Sequence, residues 1–167
     1  MMKKILSMVV VMLLGATSLM AQNPEKGWSF AAETGIGTEW QLAARAQYNF
    51  NKYIAVEGVA RYAFDWDREK IWGTTFKTNW NEITITAGAR GFSPTFGPDM
   101  KAYANFDLGY GAMFGGDLPG NTNCFAIDFG VGMYLWKGLY AGYGLEALCK
   151  DGSHLDHVVR IGYNFEF

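Results

Sequence analysis

The chain offers few side chains for nucleophilic catalysis. Beyond the N-terminal leader described below, its serines are Ser29, Ser93 and Ser153, and its only histidines are His154 and His157. A serine nucleophile needs a base within hydrogen-bond reach. Ser153 directly precedes His154, and adjacent residues of a strand point to opposite faces, so these two would not act together on a strand. A loop that joins Ser153, His157 and Asp151 remains an alternative, but we predict that the protein is not an enzyme.

The same segment contains the candidate metal ligands, because Asp151 and Asp156 flank the two histidines. Two histidines with flexible acidic neighbours are a weak set beside the preorganised ligands of known zinc sites. We therefore predict solvated loop polarity here, with no metal and no cofactor.

Ten charged residues fall at alternate positions within otherwise apolar segments. They are Glu33, Arg45, Glu57, Arg61, Glu82, Arg90, Asp107, Asp128, Glu146 and Arg160. An isolated ion in a low-dielectric site is very costly, so such charges must pair if they are buried. An arginine fork can bridge two carboxylates, and we predict a salt-bridged, hydrated plug, with a small polar channel as the alternative. Paired carboxylates also serve glycosidases as acid and base, but the interleaved arginines favour a structural role.

The segments that carry these charges alternate with a period of two, as strands with one apolar face do. Eight can be marked, at 28–37, 42–50, 54–64, 82–91, 101–114, 124–135, 139–148 and 157–167. Each is close to the ~9–11 residues with which a tilted strand crosses a bilayer. We predict an all-β fold, an eight-stranded antiparallel up-and-down transmembrane β-barrel.

A soluble eight-stranded barrel would also alternate, with its apolar face inward. The polar faces of this chain, however, carry many glycines and single charges and few of the Lys, Glu and Thr residues of a solvated surface. Small residues mixed with isolated charges fit a narrow, crowded interior. The apolar faces are therefore predicted to meet lipid.

An even number of strands places both termini on one side of the membrane, which is the periplasmic side if the chain is exported. Turns at 51–53, 92–100 and 136–138 would lie there, and loops at 38–41, 65–81, 115–123 and 149–156 would face outside. Two aromatic girdles are predicted: Trp28, Phe30, Tyr48, Phe50, Trp136 and Phe167 on the periplasmic side, and Trp40, Phe64, Trp66, Trp80, Phe114 and Phe125 on the outer side.

The longest outer loop, 65–81, mixes charge with three tryptophans. An interfacial aromatic belt with charge facing lipopolysaccharide is favoured here over a protein-binding epitope, although loops on a rigid scaffold are where a surface ligand would bind.

Residues 1–21 have the layout of a cleaved secretory signal peptide, with Lys3 and Lys4 before an apolar core and small residues before Gln22. The barrel domain is then 22–167. Two of the fourteen basic residues leave with the leader, so twelve remain against sixteen acidic ones and the mature net charge is −4. Without clustered Lys and Arg, no nucleic-acid partner is expected.

The last segment, 157–167, reads HVVRIGYNFEF and ends on an aromatic residue. Tyr163, Phe165 and Phe167 are spaced two apart, and in this the segment resembles the closing strand of bacterial outer-membrane barrels. The whole mature chain resembles the small eight-stranded family of the OmpA barrel domain, OmpX and opacity-type adhesins. The resemblance implies a location in the outer membrane, contact with its lipid and lipopolysaccharide, and recognition of the three aromatics by the barrel-assembly machinery. It also implies a structural, adhesive or host-interaction role. A small-solute pore and, second, a lipid-modifying outer-membrane enzyme are the alternative functions.

Cys124 and Cys149 lie at the outer ends of neighbouring predicted strands, and the periplasm is oxidising. Strict alternation places the two on opposite faces, so a disulfide would need a bulge or a loop position for Cys149. Both a disulfide and two separate thiols remain open at this point.

Overall fold

The computed structural model of the chain describes residues 26–37, 39–64, 68–71, 74–77, 80–115, 122–149 and 154–166. These residues contain ten strands: β1 (Gly27–Ile36), β2 (Trp40–Asn51), β3 (Ile54–Phe64), β4 (Arg68–Ile71), β5 (Thr74–Lys77), β6 (Trp80–Phe92), β7 (Lys101–Gly115), β8 (Thr122–Trp136), β9 (Leu139–Cys149) and β10 (His154–Glu166). No helix long and apolar enough to cross a membrane occurs among them. The predicted signal peptide lies outside the described residues.

The eight long strands form a closed antiparallel barrel in the order β1-β10-β9-β8-β7-β6-β3-β2. The first and last strands close it, pairing from Ser29 opposite Glu166 to Ile36 opposite Val159. Apart from the short strands β4 and β5, each strand pairs with the next along the chain. The predicted all-β, eight-stranded up-and-down barrel is confirmed.

Most predicted strand bounds agree with the structure within two residues, but two predictions for the connections were wrong. Segment 65–81 is not all loop, because β4 and β5 pair in it as a separate two-stranded sheet. Its second strand reads TTFK, and β-branched and aromatic residues suit a strand even where charged neighbours obscure the period. The last strand begins at His154 rather than at residue 157. Residues 154–156 therefore belong to the barrel wall and not to a loop.

The wall places apolar side chains outside and polar side chains inside. Ile85 is 64% exposed, and Val159 and Ile161 are each more than half exposed. Along the same strand as the last two, Val158, Arg160 and Asn164 are buried. An outer surface of this kind would be costly in water, because apolar area prefers a non-aqueous environment. It suits lipid.

The two ends of the barrel differ, and we name them by their connections. The turn end carries the start of β1, the end of β10 and the connections β2–β3, β6–β7 and β8–β9; the loop end is opposite. At the turn end the Asn51 side-chain oxygen accepts from the backbone N–H groups of Tyr53 and Ile54. Lys137 and Gly138 both have positive φ, 38° and 88°. A two-residue hairpin of this hand matches the twist of the flanking strands.

Aromatic side chains lie at both ends of the wall. At the turn end Trp28, Phe30, Phe50 and Trp136 are exposed, and at the loop end Trp40 and Phe125 are. The side chains of Trp66, Trp80 and Phe167 lie outside the described part of the chain. Neighbouring aromatics at the turn end also contact one another, as Trp28 and Tyr48 do edge to face at 5.3 Å between ring centroids.

Candidate functional site: the charged barrel interior

The ten charged side chains singled out by the sequence all lie in the barrel interior, and none is more than 6% exposed. They come from every barrel strand, since each strand points alternate residues inward. An interior of eight strands is just wide enough to be filled by side chains. The arginines extend across it and gather most of the charges into two groups, which Arg160 and Glu33 join at 3.7 Å from Nε to Oε1.

The first group lies in the half nearer the turn end and centres on Glu57. Its Oε2 is 3.1 Å from Arg45 Nε and 2.9 Å from Arg90 Nε. Arg45 also reaches Glu33, at 3.0 Å from Nη2 to Oε2, and donates to the Tyr140 hydroxyl at 2.8 Å. Tyr140 in turn donates to Glu33 at 3.0 Å. Each charge is therefore held from more than one strand, as buried ion pairs require.

The second group lies further toward the loop end and centres on Asp128. Arg160 donates to both Asp128 oxygens, at 2.9 and 2.5 Å. Arg61 divides its guanidinium between Asp128 Oδ2, at 2.6 Å, and Glu146 Oε1, at 2.5 Å. Arg61 is on β3 and Glu146 on β9, four strands apart around the barrel in either direction. This link therefore crosses the full width of the interior.

Four carboxylates lie in one row across neighbouring strands. Asp107 on β7 is directly opposite Asp128 on β8, which is opposite Glu146 on β9, which is opposite Asp156 on β10. Like charges directly opposite on adjacent strands are destabilising. Arg61 and Arg160 reach the middle of this carboxylate row and offset part of the repulsion.

The charges inside do not balance. Among the side chains that the structure describes, eight buried carboxylates face four buried arginines. Two of these carboxylates, Glu39 and Asp156, were not among the predicted residues. Alternation would have found Asp156, two positions before Val158 and four before Arg160, had the strand been extended upstream. Glu39 precedes β2 and carries no such signal.

Neutral polar side chains, also absent from the prediction, complete the network. Gln41 on β2 donates to Glu146 on β9 at 3.0 Å, a second link between distant strands. Asn105 donates to Asp107 at 2.7 Å and lies 3.4 Å from Asp128. Asn105 occupies an inward position of a marked strand, so the period gives its direction but not its partners. Gln41 was predicted in the loop 38–41, whereas it lies in β2.

A cluster of inward tyrosines fills the interior near the turn end. Tyr103, Tyr134 and Tyr140 lie with ring centroids 5.1 to 5.8 Å apart. The Arg90 guanidinium lies 4.2 Å from the centre of the Tyr103 ring, which suits a cation–π contact. Sequence reasoning missed these rings because their strands were judged by their glycines and charges.

Large inward side chains lie over glycines of the next strand. Gly162 is directly opposite Tyr140, and Gly132 is directly opposite Tyr103. A Cβ built on either glycine would overlap the tyrosine ring, and a Cβ on Gly144 would lie 2.6 Å from Arg160 Cζ. The interior glycines thus provide room for the rings and the guanidinium.

The candidate nucleophiles do not come together among the described residues. Ser29 is fully buried inside the barrel. Ser93 is in the β6–β7 turn, where it donates to the Pro94 carbonyl and accepts from the Ala102 N–H. His157 points outward, and its Nδ1 is hydrogen-bonded to the Tyr143 hydroxyl. Asp151 and Ser153, and the side chain of His154, lie outside the described part.

No group of three or more His, Cys, Asp and Glu side chains in the described part is arranged to hold a metal ion. The thiol of Cys124 is buried inside the barrel, 3.6 Å from the Gly111 carbonyl oxygen. Cys149 is directly opposite Phe125 in the register, one residue from Cys124, and its side chain is outside the described part. The disulfide stays a prediction.

Comparison with solved structures finds barrels of this kind. Neisserial surface protein A matches with a TM-score of 0.60 at 15% identity, over 84% of this chain and 94% of that chain. The Yersinia pestis outer membrane protein Ail matches with a TM-score of 0.57 at 16% identity, over 84% and 100%. The chain has the fold of the small outer-membrane β-barrels.

The same fold includes an enzyme. The outer membrane enzyme PagL matches with a TM-score of 0.55 at 13% identity, over 83% of this chain and 99% of that chain. No protein-family model and no curated protein sequence matches the chain. At these identities the likeness extends to the fold alone, and function has to be argued from the site.

Proposed function

We propose that the mature chain is an integral protein of the bacterial outer membrane, exported through the periplasm with removal of residues 1–21. One observation carries the proposal: the apolar side chains are on the outer wall of a closed barrel and the charges are inside it. A closed barrel also leaves no strand edge, so every backbone group in the wall can be paired within lipid. The turn end then faces the periplasm and the loop end faces outside.

Within that membrane we assign the barrel a structural, adhesive or surface-interaction role, with its interior closed to solutes by the charged network. The links Arg61–Glu146 and Gln41–Glu146 support closure, because each joins distant strands across the interior. A small-solute pore would need a continuous polar path past these links.

The proposal assigns surface contact to the segments at the loop end and lipid contact, including lipopolysaccharide, to the wall. One solved structure of Ail is a complex with the heparin analogue sucrose octasulfate. That complex supports a surface ligand as a role that this fold can perform. Tyr163, Phe165 and Phe167 are assigned to recognition by the barrel-assembly machinery.

The proposal includes no enzymatic activity. The support comes from the described residues alone. Among them, the outward His157 is hydrogen-bonded to Tyr143, Ser29 is buried in the interior and Ser93 lies in a turn. Incubation of the folded barrel with lipopolysaccharide and analysis of released fatty acids tests this. Release of fatty acid that His157→Ala abolishes would contradict it.

The deciding experiment is refolding of residues 22–167 into a planar bilayer with recording of single-channel current. A heat-shift gel on the same sample establishes that the barrel is folded. We expect a folded barrel without stable conductance, and we expect discrete current steps from the Arg61→Met variant, which removes the link across the interior. Discrete steps from the wild-type barrel would overturn closure and make solute diffusion the leading function.

A further inference from the structure

Asp107 differs from its neighbours in the carboxylate row. Asp128 and Glu146 are each ion-paired with arginine, whereas no ion pair within the described part reaches Asp107. Its side chain is 1% exposed. Oδ2 accepts a hydrogen bond from Asn105, and Oδ1 has no hydrogen-bond partner among the described residues. A buried ionised carboxylate in this position would be costly.

Gly88 separates Asp107 from a second acid. In the register, Gly88 on β6 is directly opposite Glu57 of β3 on one side and Asp107 of β7 on the other. A Cβ on Gly88 would overlap Asp107 Oδ1, so this oxygen occupies the space above the glycine. Further side-chain oxygens lack hydrogen-bond partners within the described part. They include Glu57 Oε1 on β3 and Thr86 Oγ1 on β6.

The charged groups around Asp107 include more carboxylates than arginines. Glu57 is ion-paired with Arg45 and Arg90, whose Nε atoms both lie against its Oε2. The groups that act on Asp107 are Glu57 from β3, Arg90 from β6 and Asp128 from β8, with Asn105 on its own strand. Two of the three charged groups are carboxylates. Where like charges cannot both remain ionised in one site, one of them takes a proton.

We propose that Asp107 is a buried proton-binding site, with the proton on Oδ1 and the O–H donating to Glu57 Oε1. The two oxygens without partners then satisfy each other, and Glu57 keeps its charge for the arginines. Two carboxylates are too few for a metal cage, and the described residues contain no metal-holding group of acids, histidines and cysteines. A proton is therefore the favoured occupant.

The test is infrared spectroscopy of the folded barrel in detergent at pH 6. An un-ionised carboxylic acid has a carbonyl band apart from the amide bands, and it shifts in deuterated buffer. We expect this band in the wild-type barrel, a weaker band in Asp107→Asn, and the full band in Asp99→Asn, a matched change in the exposed β6–β7 turn. The asparagine amide can donate to Glu57 in place of the acid, so Asp107→Asn is expected to fold.

The proposal is overturned if the wild-type barrel lacks the band, if Asp107→Asn keeps it in full, or if it emerges only after chelation of metal ions. The wild-type spectrum decides even if the variant does not fold.

Denaturant titration is a second measurement of the same proton. A folded state that binds one proton more than the unfolded state loses stability as pH rises. Relative to Asp107→Asn, the wild-type ratio of folded to unfolded protein should fall about tenfold per pH unit between pH 5 and 6, where an unfolded Asp is already ionised and the folded site still holds its proton; equal slopes would overturn the proposal.

Discussion

Arg61 and Glu146 lie on opposite walls of the barrel, and their side chains meet across it with 2.5 Å between Nη1 and Oε1. Both residues are buried, and Arg61 also holds Asp128. One side chain thus connects β3 with both β8 and β9, neither of which pairs with β3. The interior is held together crosswise as well as around its circumference.

Removal of this arginine should destabilise the barrel strongly. Breaking a buried ion pair from one side leaves an uncompensated charge and costs about 3–5 kcal/mol. We expect Arg61→Met to lower the free energy of unfolding by about that amount, measured by urea titration with a heat-shift gel. Arg61→Met combined with Glu146→Gln removes both charges and should recover part of the loss. Equal losses in the single and double variants would show that the pair is not the cause.

Enlarging an interior glycine should displace an arginine. In Gly144→Ala the new Cβ would lie 2.6 Å from Arg160 Cζ and push the guanidinium away from Asp128. Overpacking of this kind costs about 1–3 kcal/mol. The matched control is Gly58→Ala, whose Cβ would have its nearest neighbour, a backbone oxygen, at 3.9 Å. Urea midpoints should fall for the first variant and stay within error for the second.

The free-energy cost of a charged residue on the outer wall should depend on its depth in the membrane. Ile85, in the middle of β6, is the test position, and Ile54, the first residue of β3 at the turn end, is the control. Lysine on the lipid face costs about 2–4 kcal/mol at the midplane and about 0–1 near the interface. Refolding into lipid vesicles should therefore be impaired for Ile85→Lys and nearly unchanged for Ile54→Lys. Equal effects would contradict the assignment of this wall to lipid.

The β8–β9 turn contains one residue that does not suit its backbone. Lys137 has φ of 38°, a region that side chains other than Asn, Asp and Gly rarely adopt. We expect Lys137→Asn to raise the free energy of unfolding by about 0.5–1 kcal/mol, and Gly138→Ala, at φ of 88°, to lower it by about 1 kcal/mol. Thermal or urea unfolding of both variants measures this, and a loss of stability in Lys137→Asn would contradict it.

The period of two was enough to predict the barrel and the inward direction of its charges. Alternation is a local property, and it is visible in single segments such as residues 54–64, whose bounds the structure reproduces. The ion pairs inside the barrel, in contrast, do not follow from alternation. Arg61 and Glu146 are 85 residues apart, and no local pattern shows that their side chains meet. Tyr140 has an inward position by alternation, but the space for its ring depends on Gly162 of the next strand, which no local pattern shows.

Short or mixed segments were the other source of error. Strand β4 reads REKI, and its charges hide a period that four residues could not establish in any case. Asp156 was assigned to a loop because the last strand was started at His157, a histidine that faces the outside of the wall. Its hydrogen bond to the Tyr143 hydroxyl satisfies the ring nitrogen there.

The pairing of large inward side chains with glycines has a consequence for how such an interior can change over generations. Tyr140 and Gly162 share one space, because the three atoms nearest to a Cβ built on Gly162 all belong to the Tyr140 side chain. Neither member of a pair can grow alone, yet both can change together, with the bulk moved from one strand to its neighbour. Accepted substitutions here should therefore be epistatic. They should occur as reciprocal exchanges between adjacent strands, whereas outward positions vary one at a time.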